Sequence, residues 1–360
     1  MPARPGGADR RRRGHVVVAA ASQPAPRTRL MAPAPAPSLA PTPGGAQFSA
    51  DLLEQPAVQA ASMVALAHLD AAAAAATRLT DPTDHDALHD FRVAIRRLRV
   101  TIRAYPGVRE SIAKKQRRRL RRLARATNTA RDTEVQLAWF RARLARFAPA
   151  ERRALAPLRV RLRARRRREI ARTQPELLRQ FGKIERKLRR RLMAARDSGA
   201  HEAQFRGIAA ATLVQYANDL STRLRVLAPT SKATDVHATR IAAKRLRYLL
   251  EPLRAVLADA APIVDRLKEL QDLLGELTDG HTLEAVLQEA GNVAAAAGAE
   301  FLRAEAGRLF STLRQSWSQA GPEFVRAIDV VAQQLRPVIT APVPPSLRQR
   351  ARRRRQTATA

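Results

Sequence analysis

The sequence contains no cysteine, which excludes disulfides, zinc–thiolate sites and thiol nucleophiles and leaves the compartment open. Aromatic residues make up only 4% of the chain, too few for a surface that stacks bases in series. Also absent are the G-x-x-x-x-G-K phosphate loop, the G-x-S-x-G elbow and the H-E-x-x-H zinc helix. No apolar run approaches the roughly 20 residues that span a bilayer, so no transmembrane segment is expected. The apolar stretch from Val16 to Ala21 is too short for a signal-peptide core, which points to the cytoplasm. Negative charge is scarce as well: 32 Asp and Glu stand against 66 Lys and Arg, a net charge of +34. Such a field repels itself unless an anion neutralises it, so the expected partner is a polyanion. Scattered, outnumbered carboxylates disfavour a two-metal phosphohydrolase. The expectation is a protein that is not an enzyme and needs no cofactor or metal.

What is present favours helix. Ala, Leu and Arg dominate, all strong helix formers, and β-branched residues are sparse. The apolar periodicity predicts helices near 50–79, from Pro82 to Tyr105, and at 110–146, 151–172, 175–197, 202–228, 233–257, 262–292, 298–318 and 322–336. Asp81 is expected to cap the second of these, with Pro82 in its first position and Pro106-Gly107 ending it. Residues 1–48, rich in Pro, Ala and Arg, are expected to be a disordered leader. Residues 339–360 are expected to be a flexible basic tail.

An internal repeat organises the middle. His89-Asp-Phe-Arg92-Val-Ala-Ile-Arg96-Arg97-Leu98-Arg99 returns as His237-Ala-Thr-Arg240-Ile-Ala-Ala-Lys244-Arg245-Leu246-Arg247, 148 residues later. Leu120, Leu123 and Asp132 match Leu267, Leu270 and Asp279 at an offset of 147. Two different helices that agree to within one residue argue for duplication of a multi-helix unit. The expected fold is all-α: two antiparallel helical bundles, residues 49–199 and 200–338, with a basic groove between or along them.

On a helical wheel Phe91, Ile95, Leu98, Ile102 and Tyr105 form a core stripe. His89, Arg92, Arg96, Arg99 and Arg103 form a second stripe about 110° away, and Arg97 points elsewhere. His237, Arg240, Lys244 and Arg247 are the equivalent stripe of the second repeat, over a core face of Ala243, Leu246, Leu250 and Leu253. The first stripe is roughly 20 Å long and suits a linear array of phosphates, because arginine presents a fork that bonds phosphate oxygens in pairs. A solvated basic face is the bland alternative, and the recurrence of the stripe argues against it. Arg121 and Arg125 are further candidate contacts. His85 and His89 lie four residues apart beside Asp86 and Asp90, but Ala233 replaces His85 in the second repeat, which favours a capped helix start over a metal pair.

The paired H-x-x-R-x-x-x-[RK]-R-L-R segments resemble the CHAD family, the conserved histidine α-helical domain. So does the run from Leu267 to Asp279, L-K-E-L-Q-D-L-L-G-E-L-T-D, and the Arg131-Asp132 step of the first repeat. The resemblance covers about residues 49–337. It implies two helical bundles around a basic channel that binds inorganic polyphosphate, with targeting to polyphosphate granules in bacteria. By resemblance, His89, Arg92, Arg96, Arg99, Arg103, His237, Arg240, Lys244 and Arg247 are anion contacts. Asp132 and Asp279 look like structural partners, since Thr278 breaks the second Arg-Asp step. Many family members also carry a triphosphatase domain marked by Glu-x-Glu-x-Lys, which this sequence lacks. The rival reading is a general binder of RNA or DNA backbone, with the basic tails adding non-specific contacts.

Overall fold

The computed structural model describes residues 48–336 apart from 82, 85, 199–202 and 292, so most of the expected leader and all of the expected tail lie outside the described residues. Eleven α-helices are described in that range. They are α1 (Asp51–Glu54), α2 (Ala57–Arg78), α3 (Ala87–Ala104), α4 (Pro106–Ser111), α5 (Lys114–Ala126), α6 (Asn128–Arg143), α7 (Pro149–Arg196), α8 (Phe205–Val226), α9 (Ala233–Leu250), α10 (Ala260–Ala290) and α11 (Val293–Gln334). No strand occurs among the described residues, and the fold is all-α as expected.

Several boundaries differ from the expectation, each for a local reason. Pro56 interrupts the first predicted helix and separates α1 from α2. Asp81 accepts from the Thr83 backbone N–H at 2.8 Å, which bends the chain. Asp84 Oδ1, two residues ahead of the Asp86 cap position, accepts from the Ala87 N–H at 2.9 Å, and α3 starts later than predicted. Pro82, expected at the first helical position, and His85 of the proposed metal pair lie outside the described residues. Pro106 starts α4, where its missing N–H costs nothing. Separate helices were expected to begin at residues 175 and 322, yet α7 and α11 run on through Pro175 and Pro322. Leu177 and Phe181 just after Pro175, and Phe324 and Ile328 just after Pro322, are buried in the core, and this packing outweighs the local penalty.

The packing follows the sequence repeat. Helix α2 packs on α3 and α7 as α8 packs on α9 and α11, and α3 meets α5 as α9 meets α10. Near the starts of α2 and α8 the Ala57 N–H donates to Ala203 O at 3.0 Å and the Phe205 N–H donates to Gln55 O at 2.8 Å. Shifting one partner of either bond forward by 148 and the other back by 148 produces the other bond. A local pseudo-two-fold axis therefore passes beside Pro56 and Gln204, which form an isolated bridge.

The halves share their apolar interior. One cluster runs from Leu52 to Leu335 and contains Phe91, Ile95, Leu98 and Ile102 of α3 together with Ala243, Leu246 and Leu250 of α9. The expected boundary near residue 200 does not divide this core. A second cluster joins Leu137 and Phe140 of α6, Leu155 and Leu158 of α7, and Leu283 and Leu287 of α10. By length and composition α2 is long and apolar enough to cross a membrane, although its alanines are punctuated by His68 and Asp70. Ala60, Ala61, Val64 and Leu69 of that helix are all in the core.

Candidate functional site

With their apolar stripes fixed in the core, α3 and α9 have their basic stripes brought together. Both line one cavity of about 270 Å³. Helix α3 supplies Arg92, Arg96 and Arg99, and α9 supplies His237, Arg240 and Lys244. Arg125 and the Thr127 end of α5 close one side, and Asp279 of α10 projects into it.

Individual arginines are held by backbone. Arg92 Nη1 donates to the carbonyl of Thr127, which docks the first half's stripe on the end of α5. Arg240 lies over Gly275 of α10, where a Cβ would stand 3.5 Å from its Nε. An alanine at 275 would meet the guanidinium at ordinary van der Waals distance. By contrast, Arg96, Arg99, Arg125 and Lys244 form no hydrogen bond or ion pair with any described residue. Lys244 is pushed down to about 6 by burial and by the charges of Arg240, Arg96 and Arg247, with Asp279 pulling the other way. Arg99 is lowered by burial and by Arg121, Arg96, Arg245 and Arg125. At Arg96, Arg99 and Arg125 the groove thus gathers positive charge that no described carboxylate pairs with.

Four expected contacts sit elsewhere. His89 is half-buried on the first turn of α3 and does not line the cavity; Arg103, exposed, lies a turn beyond Arg99. Arg121 is exposed on α5, outside the lining, although its field reaches Arg99. Arg247 turns away: its Nε is 3.3 Å from Glu251, and its guanidinium lies 5.2 Å from the Tyr248 ring centre. Arg97 reaches the same two groups, with Nε 2.7 Å from Glu251 and 5.6 Å to the ring. Burial alone would lower Arg97, but the charge of Glu251 and the hydrogen bond to it prevail and raise it. Only 14% of the Arg97 side chain and 16% of Glu251 are exposed, so this is a largely buried, compensated cluster.

Two relevant residues were not among the expected contacts. Asp279, read as a structural partner, is also one of the residues that line the groove. Arg245 occupies the repeated R-L-R position and acts on Arg99, although its counterpart Arg97 points away from the first stripe. In a separate cavity of about 360 Å³, Arg166 and Arg167 join Arg141, Arg159 and Arg163 around Leu137. Asp90, beside His89, is bound by Arg78 Nη1 at 2.7 Å.

A family model described as the CHAD domain matches residues 63–288, well over half of the chain. Comparison with curated proteins finds no match. Among solved structures, the crystal structure of the CHAD domain from the plant Ricinus communis is similar, with a TM-score of 0.57 at 21% identity. The similarity covers 81% of this chain and 98% of that one, and at this identity it bears on the fold.

Proposed function

The chain belongs to the CHAD domain family, and we propose that it binds inorganic polyphosphate without catalysis in the groove between α3 and α9. The observation that carries this reading is the convergence of both repeated basic stripes on a single cavity. Seven basic side chains line it, against one carboxylate among the described residues. Guanidinium forks on two sides suit a chain of phosphates with oxygens exposed all round. The aromatic ring in the lining, Phe91, is 1% exposed and packs edge-on against Phe181, so it offers no face for a base. A polymer without bases fits such a slot better than RNA or single-stranded DNA. In the cell, this reading places the chain on polyphosphate granules in a bacterial cytoplasm.

The test is a titration of the full chain with long-chain polyphosphate and with RNA at about 150 mM salt. A second sample carries Arg92→Glu, Arg96→Glu, Arg240→Glu and Lys244→Glu. Polyphosphate binding that resists excess RNA and that this variant loses is the expected result. Equal affinity for both polymers, or a variant that binds as the parent does, would replace this reading with general attraction to a basic surface.

A further inference from the structure

We propose that Arg99, Arg103 and Arg245 form a distinct phosphate subsite continuing from the groove, in which a phosphate of the bound polymer takes the place that the Glu251 carboxylate holds in the other half of the molecule. The inference rests on the polyphosphate reading above and adds a location to it.

The pseudo-two-fold relation seen in the Gln55–Phe205 and Ala57–Ala203 bonds carries the argument. The same exchange of 148 residues takes Arg97 to Arg245, Arg247 to Arg99 and Glu251 to Arg103. The electrostatic neighbours of these groups obey it. His68 feels the charge of Arg97, and its counterpart Tyr216 acts on Arg245. Arg99 is within electrostatic reach of Arg245, and Arg245 of Arg103, as the exchange requires.

In the first set two arginines close on a carboxylate. In the second, that carboxylate's position belongs to a third arginine. None of Arg99, Arg103 and Arg245 makes an ion pair or hydrogen bond with a described residue. Asp219 and Tyr216 offset part of the charge on Arg245, but Asp219 is already bonded to Arg223 at 2.9 Å, and Arg223 itself repels Arg245. Glu251 shows that this backbone arrangement, with an anion at its centre, gathers two guanidinium groups onto it. A phosphate offers the same paired oxygens with more charge. Because Arg99 also lines the groove, a polymer bound there would reach the subsite within one helical turn.

The experiment measures polyphosphate affinity and thermal stability of the full chain carrying Arg103→Glu, Arg245→Gln, Arg103→Lys or, as a control on the exposed face of α11, Arg314→Glu. Arg103→Glu recreates the pairing of the other half. It is expected to weaken binding at least tenfold while Tm stays level or rises; Arg245→Gln weakens binding by a similar factor, and Arg103→Lys restores most of it. If Arg103→Glu and Arg245→Gln bind within twofold of the Arg314→Glu control while Arg96→Glu with Lys244→Glu abolishes binding, the subsite is wrong and the groove stands. A fall in Tm for Arg103→Glu would mean that a carboxylate at 103 finds no partner in Arg245, which overturns the exchange argument. If the parent chain fails to bind polyphosphate, or the Arg96→Glu, Lys244→Glu variant binds normally, the groove reading fails and takes the subsite with it.

Discussion

The region around Glu251 and the region around Arg103 hold corresponding positions of a repeated helical unit, yet they treat their arginines in opposite ways. Around Glu251, Arg97 and Arg247 are drawn inward, flank the Tyr248 ring and form a compensated cluster. Around Arg103, the corresponding Arg245 and Arg99 stay without a carboxylate, and Val100 stands where the ring would be. One charge difference at exchanged positions is enough to divide the roles. A basic cluster with an internal anion serves stability, and the same cluster without one is suited to an external anion. This explains why Arg247, equivalent to Arg99 by sequence, is absent from the groove lining.

The largest expected effect comes from breaking the compensated side. Glu251→Gln leaves two largely buried guanidinium groups without their carboxylate and is expected to cost about 3–5 kcal/mol in denaturant unfolding at pH 7. Arg103→Gln, at the exchanged position, removes a repulsive exposed charge and is expected to change stability by no more than about 0.5 kcal/mol. Equal losses at the two positions would erase the distinction.

A smaller effect concerns protons. Lys244 sits near 6 in the folded chain, below its ordinary 10.5. Between those values the unfolded state binds more protons, so stability without ligand rises with pH across that window. Replacing Lys244 by Met is expected to remove that slope and raise Tm at pH 7. Bound phosphate favours the charged lysine and raises its pKa, so binding takes up protons. Affinity is therefore expected to fall as pH rises from 6 to 8, by at most about tenfold per unit for one proton. Calorimetry in buffers of different ionisation enthalpy reads the uptake directly. A flat profile in the parent chain, or a slope that Lys244→Met leaves unchanged, would contradict the account of Lys244.

Much of this was legible in the sequence, because helix propensity and the H-x-x-R repeat are local signals that the packing respects. Phe91, Ile95 and Leu98 face the core as the wheel predicts, and six of the nine stripe residues face the groove. Helix ends were less legible. Pro175 and Pro322 are local stop signals overridden by packing of the residues that follow them, and Asp81 and Asp84 both suit a cap until hydrogen bonding decides between them. The direction of Arg247 was least legible. A wheel gives the angle of a side chain from its helix, whereas its final partner depends on a carboxylate drawn also to Arg97, which lies 154 residues from Glu251 in sequence. The Arg103–Glu251 difference is visible in the aligned repeats, but it acquires meaning only once the two-fold packing brings exchanged positions together.

The most direct test of the central claim is a double-mutant cycle on polyphosphate affinity between the two stripes. Arg92→Glu with Arg96→Glu reverses the α3 side, Arg240→Glu with Lys244→Glu reverses the α9 side, and a third variant combines all four. A single groove shared by one polymer predicts that either pair alone removes most of the binding and that the second pair adds little. Independent losses that add across the cycle would mean that the two stripes bind separately, and would contradict the account.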